Sequence, residues 1–144
     1  MRHIFLISCS AKKSEFPQPA EHLYTSPLFR FSLAYAKLQN PDAIYILSAK
    51  HGLVSCDTIL EPYNESLNTH SKSERRSWSD TVLDSLREVS DLTQDHYTIL
   101  AGKNYTEFLV PHLTHHSLPL SNLPLGKRIA WLKKALIGYT QLKN

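Results

Sequence analysis

The chain has 144 residues, 42% hydrophobic and 20% charged, with a formal net charge of +3 and a pI near 8.9. That is one domain's worth of chain, 1–144, long enough to bury a core without disulfides or a structural metal, and too mildly basic to demand a nucleic-acid partner although it tolerates one. Cys9 and Cys56 lack C-x-x-C spacing and no apolar run is long enough to span a bilayer; a disulfide framework and a membrane span are excluded, and a cytoplasmic protein with reduced thiols is expected.

Met1-Arg2-His3 leads directly into an apolar run, His3 to Cys9, that reads as a buried strand rather than the apolar region of a signal peptide. A polar stretch, Lys12 to Thr25 with Pro17 and Pro19, reads as a long loop. Ser26-Pro27 is a helix start, with serine as N-cap and proline at the first helical position, and Phe29, Leu33, Ala36 and Leu38 form its apolar stripe. A second strand, Ala43 to Leu47, follows Asn40-Pro41, completing a βαβ unit whose crossover is expected to be right-handed.

His51 to Asn68 reads as an irregular segment with Gly52 and Pro62, long enough to be functional. Ser71 or Ser73 caps a helix to about Val89, with Trp78, Val82, Leu86 and Val89 on its apolar face. A third strand covers His96 to Leu100, a short helix runs from Asn104 to about His112, and a weaker strand lies near His116 to Leu118. The last helix, about Gly126 to Tyr139, turns Ile129, Leu132, Ala135 and Leu136 inward and Lys127, Arg128, Lys133 and Lys134 outward. Val/Ile/Leu-rich strands alternating with helices predict an α/β domain, a three-layer α/β/α with a mainly parallel central sheet.

Each of the three strands ends in two small residues and a lysine: Ser10-Ala11-Lys12, Ser48-Ala49-Lys50 and Ala101-Gly102-Lys103. In a parallel sheet all three lysines project from the carboxyl edge, where open α/β sheets bind ligands, and small residues beside them let an anion approach the backbone. None of the three is a P-loop or a G-x-G-x-x-G turn. An anionic ligand held in another way is expected, with Ser8, Ser10, Lys12, Ser48, Lys50, Gly52, Gly102 and Lys103 as candidate binding residues.

Candidate chemistry clusters after the second strand, where Lys50, His51, Asp57 and Glu61 fall within a short stretch that also holds Tyr63. A lysine, an imidazole and two carboxylates are the groups of general acid–base catalysis, and they are equally at home as solvated charges around a turn made by Gly52. Cys9, flanked by serines and near Lys12 and Lys13, is a candidate nucleophile or a small buried thiol at a strand end. Tyr24, Ser26 and Tyr105 can contact a base or sugar, or serve as cap and core residues. His112, His115 and His116 lack zinc-site spacing, so neither a metal nor a cofactor is expected.

Leu6-Ile7-Ser8-Cys9-Ser10-Ala11-Lys12, Leu47-Ser48-Ala49-Lys50-His51-Gly52-Leu53, Asp57 with Pro62-Tyr63, and Leu100-Ala101-Gly102-Lys103-Asn104-Tyr105 occur in the order of corresponding segments of the YaaA family of peroxide-stress proteins. The chain resembles that family, and especially its short bacterial and phage relatives. The resemblance implies an α/β core with a positively charged cleft and an association with DNA or nucleobase biology. Of the three lysines it supports Lys12 best. The chain is too short for the helix-hairpin-helix-like DNA-binding element of the long members, so that element's activity is not carried over.

The function expected from these features is an enzyme acting on a nucleotide, nucleoside or nucleic-acid base, including hydrolysis of an N-glycosidic bond. Lys12, Lys50 and Lys103 would hold phosphate, Tyr24 or Tyr105 the base, Asp57 or Glu61 would activate water, and His51 would relay a proton. The alternatives are a binding protein that grips a nucleotide or nucleic acid without chemistry, linked to DNA protection or oxidative stress, and an adaptor that docks an acidic protein on Lys133 and Lys134.

Overall fold

The computed structural model describes the backbone of residues 1–143 and the side chains of 1–138. The chain runs β1 (His3–Ser8), β2 (Gln18–Pro19), α1 (Ala20–Leu23), α2 (Pro27–Leu38), β3 (Ala43–Ser48), β4 (Gly52–Ser55), β5 (Ile59–Leu60), α3 (Lys72–Val89), β6 (His96–Leu100), α4 (Lys103–Thr106), β7 (His115–Ser117) and α5 (Leu125–Lys143). Single 3-10 turns occupy Leu67–Thr69 and Val110–His112. The main sheet has the order β4-β3-β1-β6-β7, with every pair parallel except β3 with β4.

β1 is the central strand because its sequence tolerates burial on both faces: Ile4, Phe5, Leu6 and Ile7 are all buried between β3 and β6. From β1 the chain crosses through α2 to β3 on one side, and later through α3 to β6 on the other. Right-handed crossovers in opposite directions put α2 and α3 on opposite faces, giving the α/β/α layering expected from the sequence. α5 packs beside α2, where Trp131 meets Tyr35 edge-on at 5.3 Å.

The caps are those the sequence announces. Ser26 Oγ accepts the Phe29 N–H, with Pro27 at the first helical position, and Ser71 makes a reciprocal capping box with Glu74, a motif that contributes about 1 kcal/mol.

Several expectations are corrected. The segment after His51 is not wholly irregular: Gly52 takes a positive φ of 74° and turns the chain into β4, an antiparallel edge strand. The loop after Lys12 holds β2 and α1, and β2 pairs with β5 in a two-residue ribbon. The helix expected over 104–112 breaks into α4, a turn and a 3-10 turn that carries Pro111 in its first positions. β7 lies one residue earlier than expected, and Val89 is 37% exposed instead of facing the core. Among the described residues, no helix is long and apolar enough to cross a membrane.

Candidate functional site

The neighbours β1 and β6 connect onward in opposite directions, β1 to β3 and β6 to β7, so the gap between their carboxyl ends is the topological switch point, the usual ligand crevice of an open α/β sheet. A cleft of about 510 Å³ opens there. One wall is the chain leaving β1, Ser8 to Ala11, and the opposite wall is the turn leaving β6, Gly102 to Tyr105. Ser26 and Leu28 bring the start of α2 to the rim, Glu65 and Asn68 come from the loop before α3, and Leu125, Arg128 and Ile129 from the start of α5.

Electrostatically the cleft favours an anion. The backbone N–H groups of Ser10 and Ala11 have no partner among the described residues, and amides free at the end of a strand form a ready anion cradle. Lys103 and Arg128 line the cleft, and neither has a carboxylate within ion-pair distance among the described residues. Arg128 is held by its Nε, which donates to the Leu123 carbonyl at 2.7 Å, and its Nη1 lies 3.5 Å from the position a Cβ on Gly102 would take. α2 and α5 also begin here, with the positive ends of their dipoles at the rim.

At the floor, the Cys9 thiol and the Tyr105 hydroxyl lie 3.4 Å apart. Burial, reinforced by Cys9, pushes the Tyr105 phenol well above its ordinary range, so it stays a neutral hydroxyl at physiological pH. Its ring stands edge-on to Trp78 at 5.5 Å, and Trp78 Nε1 in turn donates to the Ser48 carbonyl at 2.8 Å. Asn104 Nδ2 donates to Asn68 Oδ1 at 2.8 Å, tying the β6 turn to the loop before α3.

The candidate residues from the sequence divide into three groups. Ser8, Cys9, Ser10, Ser26, Gly102, Lys103 and Tyr105 line the cleft. Tyr24, Ser48, Gly52 and Tyr63 instead build the ground beside it: Tyr24 and Ser48 are wholly buried, the Tyr63 hydroxyl bonds Tyr24 Oη at 2.5 Å and Ser48 Oγ at 2.8 Å, and the His51 amide donates to Ser48 Oγ at 3.0 Å. Burial pushes the Tyr24 phenol up to about 12 and raises the Tyr63 phenol as well. The His51 ring is exposed and edge-on to Tyr63.

Lys12, Lys50, Asp57 and Glu61 are exposed and line none of the cleft. Lys50 sits in the β3–β4 turn, and Lys13 rather than Lys12 turns inward, its Nζ 4.3 Å from the centre of the Tyr63 ring. Burial lowers the Lys13 ammonium from its ordinary value. Asp57 is displaced for a topological reason. β4 runs antiparallel to β3 and returns the chain to the amino end of the sheet, where the neighbouring Cys56 thiol faces the Ile44 carbonyl.

Arg128 and Glu65 are the charged residues of the cleft that motif reading misses. Arg128 did carry a signal: Lys127 and Arg128 stand in the first turn of α5 with no acidic residue beside them, against the helix dipole. Such a pair is expected where something negative answers it. Glu65 carries no such signal.

No curated protein and no solved structure matches the chain. Residues 4–134, which include every part of this cleft, match the model of the family of unknown function DUF6884, and the chain belongs to that family.

Proposed function

We propose that the switch-point cleft binds a nucleotide or nucleoside phosphate and that the protein is a hydrolase of its N-glycosidic bond. The observation that carries this reading is one cleft walled by two unpaired amides, Ser10 and Ala11, and two unpaired cations, Lys103 and Arg128. Phosphate would sit among those four groups, and Leu28, Leu125 and Ile129 offer an apolar surface for the base. Glu65, the carboxylate that lines the cleft, takes the role the sequence had given to Asp57 or Glu61: it receives the proton of the attacking water and steadies positive charge on the sugar. Tyr105, kept protonated by burial, is the hydroxyl donor toward the departing base. The resemblance to the YaaA family supports the nucleobase link, since two of its segments, Leu6–Lys12 and Leu100–Tyr105, overlap the two walls. Two free thiols, Cys9 and Cys56, accord with a cytoplasmic setting.

Calorimetric titration with nucleoside monophosphates, paired with chromatographic assay of base release, tests this reading. Binding should weaken at least about tenfold in Lys103→Ala and Arg128→Ala, the expected loss of a charge-assisted contact, and Glu65→Gln should bind normally without releasing base. Binding without base release by the wild-type protein would favour the second reading, a non-catalytic nucleotide or nucleic-acid binder, which the presence of a single carboxylate on the cleft wall supports. No binding of any nucleotide, and none of a single- or double-stranded oligonucleotide, would refute both.

A further inference from the structure

A second hollow of about 310 Å³ adjoins the first on the far side of the β6 turn. Its walls are Ala101, Val110, Pro111 and Leu118, with Ser121 and Asn122 at the mouth. Lys103 and Arg128 line both hollows and form the ridge between them. Two ring-sized spaces separated by an unpaired pair of cations are arranged for a ligand with an apolar ring at each end and negative charge in the middle.

The geometry points to a ligand of two nucleoside units joined through phosphate, one unit in each hollow and the linking phosphate on Lys103 and Arg128. This rests on the reading of the larger cleft as a nucleotide site and extends it from one nucleotide to two. The positioning follows from the chain. Lys103 begins α4 directly after Gly102, while Arg128 reaches the same ridge from the start of α5, pinned by the Leu123 carbonyl and lying against Gly102 where a side chain would otherwise stand. The smaller hollow is mainly aliphatic at its base, and its polar groups, Thr106, Ser121 and Asn122, can meet a base edge. Glu107 also lines it but is engaged with Arg75 at 4.0 Å, which blunts its repulsion toward a nearby phosphate.

The test compares ligands of equal charge, so that only the second unit differs. Titrate the protein with deoxyadenosine 5′-(methyl phosphate) and with the dinucleoside phosphate d(ApA), one negative charge each, and pair diadenosine diphosphate with the β-methyl ester of adenosine 5′-diphosphate, two negative charges each, as the diphosphate-linked arm. Either two-unit ligand should bind about tenfold or more tightly than the methyl ester of equal charge, the gain of burying a second base against apolar walls, and the larger of the two ratios names the linkage. Ser121→Trp and Pro111→Trp, both at exposed positions of the smaller hollow, should bring that ratio close to one, with unchanged melting temperature showing that the fold is intact. Equal binding of one-unit and two-unit ligands by the wild-type protein, or a ratio that survives both tryptophans, overturns the two-unit inference and leaves the nucleotide site standing. Failure of the methyl ester and of the mononucleotides alike removes the nucleotide site itself, and this inference with it.

Discussion

Replacing Tyr63 with phenylalanine should destabilise the protein far more than the loss of one half-buried hydroxyl suggests. The Tyr63 hydroxyl is the middle of a chain, 2.5 Å from Tyr24 Oη and 2.8 Å from Ser48 Oγ, and both neighbours are completely buried. Ser48 keeps a partner after the change, because the His51 amide still donates to it. Tyr24 is left with the Ser48 hydroxyl alone, which interacts with it but makes no hydrogen bond of ordinary length to it. The cost is therefore one ordinary hydrogen bond, about 1 kcal/mol, and one orphaned buried hydroxyl, a further 1 to 2 kcal/mol roughly. For a domain of this size that total of about 2 to 3 kcal/mol lowers the melting temperature by roughly 6 to 9 °C. Tyr24→Phe removes the end of the chain instead of its middle, so Tyr63 keeps Ser48 and the loss should be about 1 kcal/mol. In the double variant the penalties should fall short of their sum, since Tyr24 can no longer be orphaned. Urea denaturation of the four proteins measures all of this. A Tyr63→Phe midpoint indistinguishable from wild type, or strictly additive penalties, would refute the reasoning.

The same phenols set the behaviour in alkali. Tyr24 is raised to about 12, and Tyr63 and Tyr105 are raised as well, chiefly by burial. A folded-state pKa above the unfolded one gives stability that is complete below about pH 10 and lost as pH rises toward 12. Absorbance at 295 nm should show these tyrosines ionising only together with unfolding; reversible ionisation of all seven tyrosines near pH 10 with the circular dichroism intact would contradict it. On the acid side, His96 is lowered by burial first and then by His3, His115 and His116, whose strands place them beside it. A depressed folded pKa contributes stability that is present above about pH 6.5 and lost as pH falls through it. His96→Asn should therefore flatten the decline in urea midpoint between pH 7 and 5, and an unchanged slope would exclude His96 as its source.

Much of this protein is written locally. The runs His3–Ser8, Ala43–Ser48 and His96–Leu100 are short, rich in apolar and β-branched residues and bounded by turn signals, which reads as strands, and Ser26-Pro27 and Ser71 with Glu74 mark where helices begin. Those signals span a few residues each, which is why the α/β class, the parallel core of the sheet and the carboxyl edge as the place of a cleft were all legible. β4 escaped because four residues with one buried valine carry too little periodicity to distinguish a strand from a loop. That one missed reversal misplaced Asp57, since a strand's direction decides which end of the sheet receives the next residue.

The site was half legible for the same reason. The glycine and serine turns at the ends of β1 and β6 could be read from sequence, and they do form the two walls of the cleft. Which cations join them could not. Lys12, Lys50 and Lys103 stand at equivalent strand ends, yet only Lys103 enters the cleft, and its companion Arg128 arrives from the far end of the chain. Sequence by itself determined the elements and the edge of the sheet at which the candidate cleft opens, because propensity, capping and burial pattern act over a turn or a strand. Only the tertiary structure decided which charges share that edge, because the order of strands and the packing of α5 beside α2 are set by long-range burial, which no short segment encodes.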